Sequence, residues 1–515
     1  MKWYLSRSDI EMRMYFFKLL TLLGLVQVAT SVNEGPKVPS DFTNEHLHGF
    51  SALFDGIVAR LLNVAPANGT RSVFAEYALT DQSNDYCADT TTEELISEAG
   101  FDSEVHYVEA DDGYLTQLIR LINPLADQRY LKQPPVALFH GGVADTSMFI
   151  IQSSTQHHPQ SWPRLPDEKL TSWNRSLAFM LSNNGYDVWL VGTRGCDPQN
   201  QLHTKLTKRW HLNSTRVDVG REWADLNDTV KYWSNFTYDD IIEKEVPRQL
   251  DCIMHLTGSD KISIVGLSNS ALLTMGLLSS RPDYAAKVHN YVIMAPLLSG
   301  KNSNNAVKVL YRTACLNPSE DASSILFSEL ILSDPVRRLI MTISKSPYLR
   351  YAVTKPLLDL FFGPTPRFQS LLELNLLGHL FRPFGFRTAK HLCQVFNANK
   401  VQHFDYGLVD NQKRYGSPSP PAYDFSKLNV SNWMLISTGN DPYSKLEDVT
   451  KLFEIAPKKP YNHIYIEDAN HLDTIAMADV DLKINLPILE FMDTFPGVTA
   501  NLTSLADRGR DYKSR

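Results

Sequence analysis

The sequence predicts an α/β fold: a mostly parallel sheet flanked by helices, with a helical cap subdomain inserted before the last strands. Three observations predict it. Short β-branched runs alternate with helical patterns from about Glu93 to Gly300, as in a sheet covered on both faces. Between 301 and 429 the rhythm breaks, and the apolar runs at 339–343, 357–362 and 371–377 read as helices punctuated by prolines. The strand pattern then returns at 433–436 and 463–466.

Composition bounds the answer. The chain has 515 residues, enough for several domains or one large domain with an insertion, and 43% of them are hydrophobic. A net charge of -7, a pI near 6.1 and the absence of a long basic run argue against a nucleic-acid partner. The cysteines are Cys87, Cys196, Cys252, Cys315 and Cys393, with no C-x-x-C pair, so neither a disulfide scaffold nor a zinc site is expected. Their odd number leaves at least one thiol free or paired between chains. One or two disulfides fit, with the pairing open.

Taken in order, residues 1–31 carry Arg13 and Lys18, an apolar run at 19–26 and small residues Ala29, Thr30 and Ser31. That pattern is a secretory signal with its cleavage region; an uncleaved anchor is the alternative. The run is short of the roughly 20 apolar residues that span a bilayer. Residues 32–90 form a polar extension, in which Phe50, Leu53, Phe54, Ile57, Leu61 and Leu62 have the spacing of a packing helix. N-x-S/T sequons at Asn68, Asn174, Asn213, Asn227, Asn235, Asn429 and Asn501 suit a glycosylated protein of the secretory pathway.

The first part of the core is expected at 91–300. A hairpin pairs 105–108 with 115–122 across Asp111-Asp-Gly113. Buried strands follow at 135–139 and 186–191, with a helix at 176–181 between them. One long amphipathic helix covers 238–256. The run Lys261-Ile-Ser-Ile-Val-Gly266 is the next strand, and 291–295 the one after. The cap is expected at 301–429, the second part of the core at 430–497, and a polar tail at 498–515.

The chemistry centres on Gly266-Leu-Ser-Asn-Ser270. A strand ends at Gly266 and a helical pattern starts at once, so Ser268 falls on a strand–turn–helix elbow. A serine hydroxyl needs a base to take its proton, an acid to orient that base, and donors for the oxyanion. Asp441 follows the strand at 433–436, and His471 follows the strand at 463–466. The order Ser268, Asp441, His471 is that of a hydrolase built on such a sheet. Read singly, Asp441 is a turn residue before proline and His471 a surface or capping histidine. Asp473 is a rival acid, placed too close to His471 in sequence to come from the preceding strand. The N–H of Asn269 supplies one oxyanion donor, and that of Gly142, in His140-Gly-Gly142 after an early strand, supplies the second.

These residues and several longer blocks carry a family resemblance. The blocks are Asp111-Asp-Gly-Tyr114, Phe139-His-Gly141, Asn174-Arg-Ser-Leu-Ala-Phe-Met-Leu181, Gly185-Tyr-Asp-Val-Trp-Leu-Val-Gly-Thr-Arg-Gly195, Phe236-Thr-Tyr-Asp-Asp-Ile241, Pro420-Pro-Ala-Tyr-Asp424, Gly439-Asn-Asp441 and Asn470-His-Leu-Asp473. Over roughly residues 91–495 the chain resembles the acid lipase family of α/β-hydrolases, which includes lysosomal acid lipase, gastric lipase and steryl ester hydrolases. The resemblance implies a Ser268 nucleophile, an Asp441 acid, a His471 base and oxyanion N–H groups at Asn269 and Gly142. It implies a cap that forms an apolar acyl pocket, and hydrolysis of triacylglycerols or steryl esters without a cofactor or metal. It further implies transient contact with a lipid droplet or membrane surface, and a lysosomal or extracellular location. The family's elbow has the form Gly-His-Ser-Gln-Gly and its oxyanion loop has leucine after His-Gly; this chain has Leu267, Asn269, Ser270 and Gly142 instead. Two other functions remain open on the sequence: a hydrolase-fold lipid-binding protein with little or no turnover, and a carboxylesterase that is not a lipase.

Overall fold

A computed structural model describes residues 90–126, 131–151, 175–207, 226–299, 301–303, 337, 340, 341, 344, 354–366 and 376–497. The signal segment, the 32–90 extension up to residue 89, the 498–515 tail and the sequons at Asn68, Asn174, Asn213 and Asn501 lie outside the described residues.

The expected strands are present, together with one short strand, Leu202–His203, that the sequence pattern did not suggest. They are β1 (Asp102–Glu109), β2 (Tyr114–Ile122), β3 (Lys132–Phe139), β4 (Tyr186–Val191), β5 (Leu202–His203), β6 (Ile262–Leu267), β7 (Val288–Met294), β8 (Asn432–Thr438) and β9 (Asn462–Ile466). Among the described residues they form one sheet in the order β1-β2-β4-β3-β6-β7-β8-β9, with β5 paired to β2. β1, β2 and β5 pair antiparallel; every pairing from β4 through β9 is parallel. The chain runs from β3 to β4 on one side and returns to β6 on the other. Loops on either side of such a reversal open a crevice at the carboxyl ends of the strands.

Alternation along the strands explains why both faces are covered. Val136 and Leu138 of β3, Val265 and Leu267 of β6, and Met434 and Ile436 of β8 enter one core. Their neighbours Ala137, Phe139, Ile264, Trp433 and Leu435 enter the other. The first core is covered by the helices Leu177–Asn183 and Leu486–Thr494 and by Leu357, Leu358 and Phe362 from the cap region; the second is covered by Val246–Thr257 and Asn269–Ser280.

One expected element differs. The helix at 238–256 is not continuous: a π-turn, Ile241–Glu245, precedes the helix Val246–Thr257. There the Val246 N–H reaches back five residues to the Ile241 carbonyl, one residue before Pro247. Proline has no N–H and crowds the carbonyl four residues back, and a widened turn relieves that. The same device recurs at Asp481–Asn485, just before Pro487. That π-turn leads into the C-terminal helix, which the sequence pattern did not suggest. The helix Leu226–Ser234 was likewise unexpected. Between β7 and β8 the named elements are helices, chiefly Lys355–Phe362, Phe386–Ala398 and Leu408–Tyr415.

Candidate active site

The elbow is built by close approach. β6 hands directly to the Asn269–Ser280 helix through Ser268, whose φ of 58° and ψ of -115° lie in a region that L-residues rarely adopt. The Ser268 N–H donates to the Met294 carbonyl of β7 at 2.8 Å, which ties the turn to the sheet. Gly266 is required: a Cβ there would stand 3.0 Å from the Ala271 Cα and 2.9 Å from the Thr274 hydroxyl. Without that side chain the helix can lie against the strand it follows.

The loops after β8 and β9 bring Asp441 and His471 to this serine. The His471 Nε2 is 2.7 Å from the Ser268 Oγ, and its Nδ1 is 2.6 Å from the Asp441 Oδ2. Asp441 is fully buried, and its Oδ1 accepts the Tyr443 and Ser444 N–H groups at 2.7 and 3.1 Å. A carboxylate only accepts, so the proton between Asp441 and His471 belongs to Nδ1, and Nε2 is free to accept from Ser268. The imidazole is held between Phe362, which stacks on it at 6.2 Å, and Tyr443, edge-on at 5.0 Å.

Asp473 does something else. Its carboxylate accepts the Asn470 N–H at 2.7 Å and the hydroxyl of Thr365 from the cap region. The surrounding segment is fixed through the same contacts: the Phe362 carbonyl accepts the His471 N–H at 2.9 Å, and the Gly363 carbonyl accepts from the Asn470 amide at 2.7 Å. Gly363, with a φ of +87°, lies so near the acid loop that a Cβ would be 2.0 Å from the Asn440 carbonyl oxygen. The turn after Lys355–Phe362 thus braces both the Asp441 and the His471 loop, which sequence reasoning did not find.

The loop after β3 lies beside the elbow because Phe139 is paired with Gly266 in register. A Cβ on Gly142 would be 3.3 Å from the Asn269 Cβ, so the two expected donors are neighbours. Neither N–H has a hydrogen-bond acceptor among the described residues. His140 is buried; its Nε2 accepts the Thr193 N–H at 3.2 Å, and its Nδ1 donates to the Gly141 carbonyl at 2.7 Å. Burial pushes its pKa down, against the pull of the Gly141 carbonyl, so the ring is neutral.

Beyond Gly142 the loop is locked to residues 379–382. Asp145 accepts from His379 at 3.0 Å and from Arg382 at 2.7 Å, and the Arg382 N–H donates to the Val143 carbonyl. Burial alone would raise the Asp145 carboxyl, but the His379 and Arg382 charges outweigh it and hold it well below the usual range. Arg194, after β4, is buried between Glu245 and Asp112 and lies 4.0 Å over the Tyr114 ring. The pattern Gly192-Thr-Arg-Gly195 was the available signal for this rivet: a cation between glycines at the end of an apolar strand.

Ser268, Asn269, His471 and Gly142 open into a pocket of about 960 Å³, counted with its mouth. Its further walls are largely apolar, among them Leu297, Leu380, Phe384, Leu392 and Ile475. The buried Cys196 is a free thiol on the same wall, and burial pushes its pKa up, so it stays protonated. Cys393 is disulfide-bonded. Of the expected sequons, Asn235 and Asn429 are exposed, and Asn227 falls in the Leu226–Ser234 helix.

Comparison with known proteins agrees with this architecture. Residues 92–153 match the family model described as a partial alpha/beta-hydrolase lipase region. The gastric triacylglycerol lipase of Mus musculus is 25% identical over 413 residues, 79% of this chain and 92% of that protein. Lipase member K of Homo sapiens is 24% identical over 422 residues, again 79% of this chain and 92% of its own length. Lipase 1 of Drosophila melanogaster is 24% identical over 388 residues, 73% and 75% of the two chains. The solved naproxen esterase of Bacillus subtilis overlaps loosely, with a TM-score of 0.37 and 12% identity over 78% of this chain and 99% of that one. Fold and relatives define the class: an α/β-hydrolase that cleaves carboxylic esters. Within that class the chain is similar over most of its length to gastric lipase and to the lipases K, M and N.

Proposed function

We propose that the protein hydrolyses lipid esters, triacylglycerols or steryl esters, through an acyl-enzyme on Ser268. The observation that carries this reading is the continuous chain from the Ser268 Oγ to the His471 Nε2 at 2.7 Å and from the His471 Nδ1 to Asp441 at 2.6 Å. Ser268 attacks the ester carbonyl and passes its proton to the His471 Nε2. The oxyanion of the tetrahedral intermediate is held by the N–H groups of Asn269 and Gly142. Asp441 stabilises the imidazolium without taking its proton. His471 then protonates the departing alcohol, and a water molecule, deprotonated by the same nitrogen, releases the fatty acid and restores the serine hydroxyl. The apolar walls of the pocket suit a long acyl chain.

The same reading places the protein in the secretory pathway, lysosomal or extracellular, with glycans on exposed sequons such as Asn235 and Asn429 and transient contact with a lipid droplet or membrane. It draws on the resemblance to gastric lipase and on the signal-like N-terminus. Among the described residues no helix is long and apolar enough to cross a membrane.

The test is Ser268→Ala, assayed on trioleoylglycerol and cholesteryl oleate. Loss of the nucleophile is expected to lower turnover by roughly 10⁶-fold. Activity within about tenfold of wild type would overturn the reading.

A further inference from the structure

The proton relay makes no use of Ser270, the elbow position where the G-x-S-x-G pattern has glycine. Ser270 is 1% exposed, and its hydroxyl donates to the main-chain carbonyl of His140. That bond runs from the elbow helix to the first residue of the neighbouring loop, 130 positions earlier in the chain. The loop continues with a second grip. The His140 ring, fixed by the Thr193 N–H, donates from Nδ1 to the Gly141 carbonyl. In a trans peptide the carbonyl and the following N–H point in opposite directions. Holding the Gly141 carbonyl therefore turns the Gly142 N–H away from the ring. Gly142 lines the pocket and has no side chain by which packing could hold it.

We infer that Ser270 is a positioning residue for the oxyanion hole. Its hydroxyl clamps the His140 carbonyl, so that the elbow carrying Asn269 and the loop carrying Gly142 keep one spacing. Two departures from the family's pattern then belong together: the loop loses a side chain at Gly142, and the elbow gains a hydroxyl that ties the loop down. The inference rests on Asn269 and Gly142 being the oxyanion donors. A donor loosened but not removed should cost less than the 10²- to 10³-fold of a deleted one, on the order of five- to thirtyfold.

The experiment compares wild type with Ser270→Ala and with Ser270→Gly, the residue of the G-x-S-x-G elbow pattern. Active sites are first counted by fluorophosphonate titration. Then kcat and KM on a soluble ester are measured, with Ki for two inhibitors of the same chain length. One is a trifluoromethyl ketone, whose hemiketal oxyanion occupies the hole; the other is an ether that binds without forming one. The expected result is a roughly five- to thirtyfold lower kcat per titrated site in both variants. The ketone should weaken in proportion to kcat/KM, while KM and the ether Ki move by less than about twofold. A kcat per titrated site within about twofold of wild type, or equal weakening of ketone and ether, would reduce Ser270 to a packing residue and overturn the inference. A folded wild type that fails to titrate would instead overturn the nucleophile reading beneath it.

Discussion

Replacing Asp441 by asparagine changes one non-hydrogen atom and is expected to disable the base without moving it. The Asp441 Oδ1 accepts two backbone N–H groups, from Tyr443 at 2.7 Å and Ser444 at 3.1 Å. An asparagine must turn its amide oxygen to those donors, because the reverse orientation would set donor against donor. Its NH₂ then faces the His471 Nδ1, 2.6 Å from the present carboxylate oxygen. A donor there selects the imidazole tautomer with its proton on Nε2, directly opposite the Ser268 Oγ at 2.7 Å. That nitrogen can no longer accept. The same swap in serine protease triads costs about 10⁴ in kcat, equivalent to roughly 5.5 kcal/mol. The assay is kcat on a soluble p-nitrophenyl ester, with circular dichroism to confirm folding. Asp473→Asn is the matched control: it should melt lower, because Asp473 holds Thr365 and Asn470, but keep kcat within about tenfold. A folded Asp441→Asn enzyme with kcat within tenfold of wild type would refute the tautomer argument. A collapse in Asp473→Asn alone would make Asp473 the acid.

Gly363→Ala should destabilise the protein by about 3 kcal/mol or more, because its Cβ would meet the Asn440 carbonyl at 2.0 Å on a backbone with φ of +87°; an unchanged melting temperature would contradict the bracing role of that turn. Asp239, which accepts from Tyr423 at 2.6 Å and the Phe404 N–H at 2.8 Å, should make folding acid-sensitive. Burial would raise its carboxyl, but hydrogen bonding from His403 and the charges of His391 and His403 bring it down to about 2. A carboxyl depressed in the folded state stabilises above its unfolded pKa near 4, and that contribution, about 2 kcal/mol, is lost as pH falls from about 4 to about 2. Urea unfolding from pH 6 to pH 2 should therefore show the gap between wild type and Asp239→Asn closing by about 2 kcal/mol in that window; a constant gap would refute it.

The parts of this protein that are legible in its sequence are those encoded locally. The apolar runs of β3, β6, β7 and β8 are each buried on both faces and flanked by small or turn residues, so their positions could be read directly. Ser268, Asp441 and His471 could be singled out as candidates because each stands in a short loop after such a strand, in an order that a parallel sheet can bring together. The long-range contacts left no periodic trace. Ser270 looked like a flaw in a five-residue pattern, yet its hydroxyl meets a carbonyl 130 residues earlier in the chain. The turn at Gly363 and the Asp145–His379–Arg382 cluster join segments over 75 and 200 residues apart, respectively, and nothing in either segment alone announces the other. The π-turns were hidden for a different reason: an apolar face continues through them, and only the prolines at 247 and 487 mark where the hydrogen-bond register widens.

The central claim is that Ser268 is a nucleophile activated by His471. The test is to treat the folded protein with a fluorophosphonate and map the adduct by peptide mass spectrometry. One stoichiometric adduct is expected on the peptide containing Ser268, abolished by Ser268→Ala and slowed by at least about 10³-fold in His471→Ala. Labelling at the same rate in His471→Ala, or on another residue in place of Ser268, would contradict it.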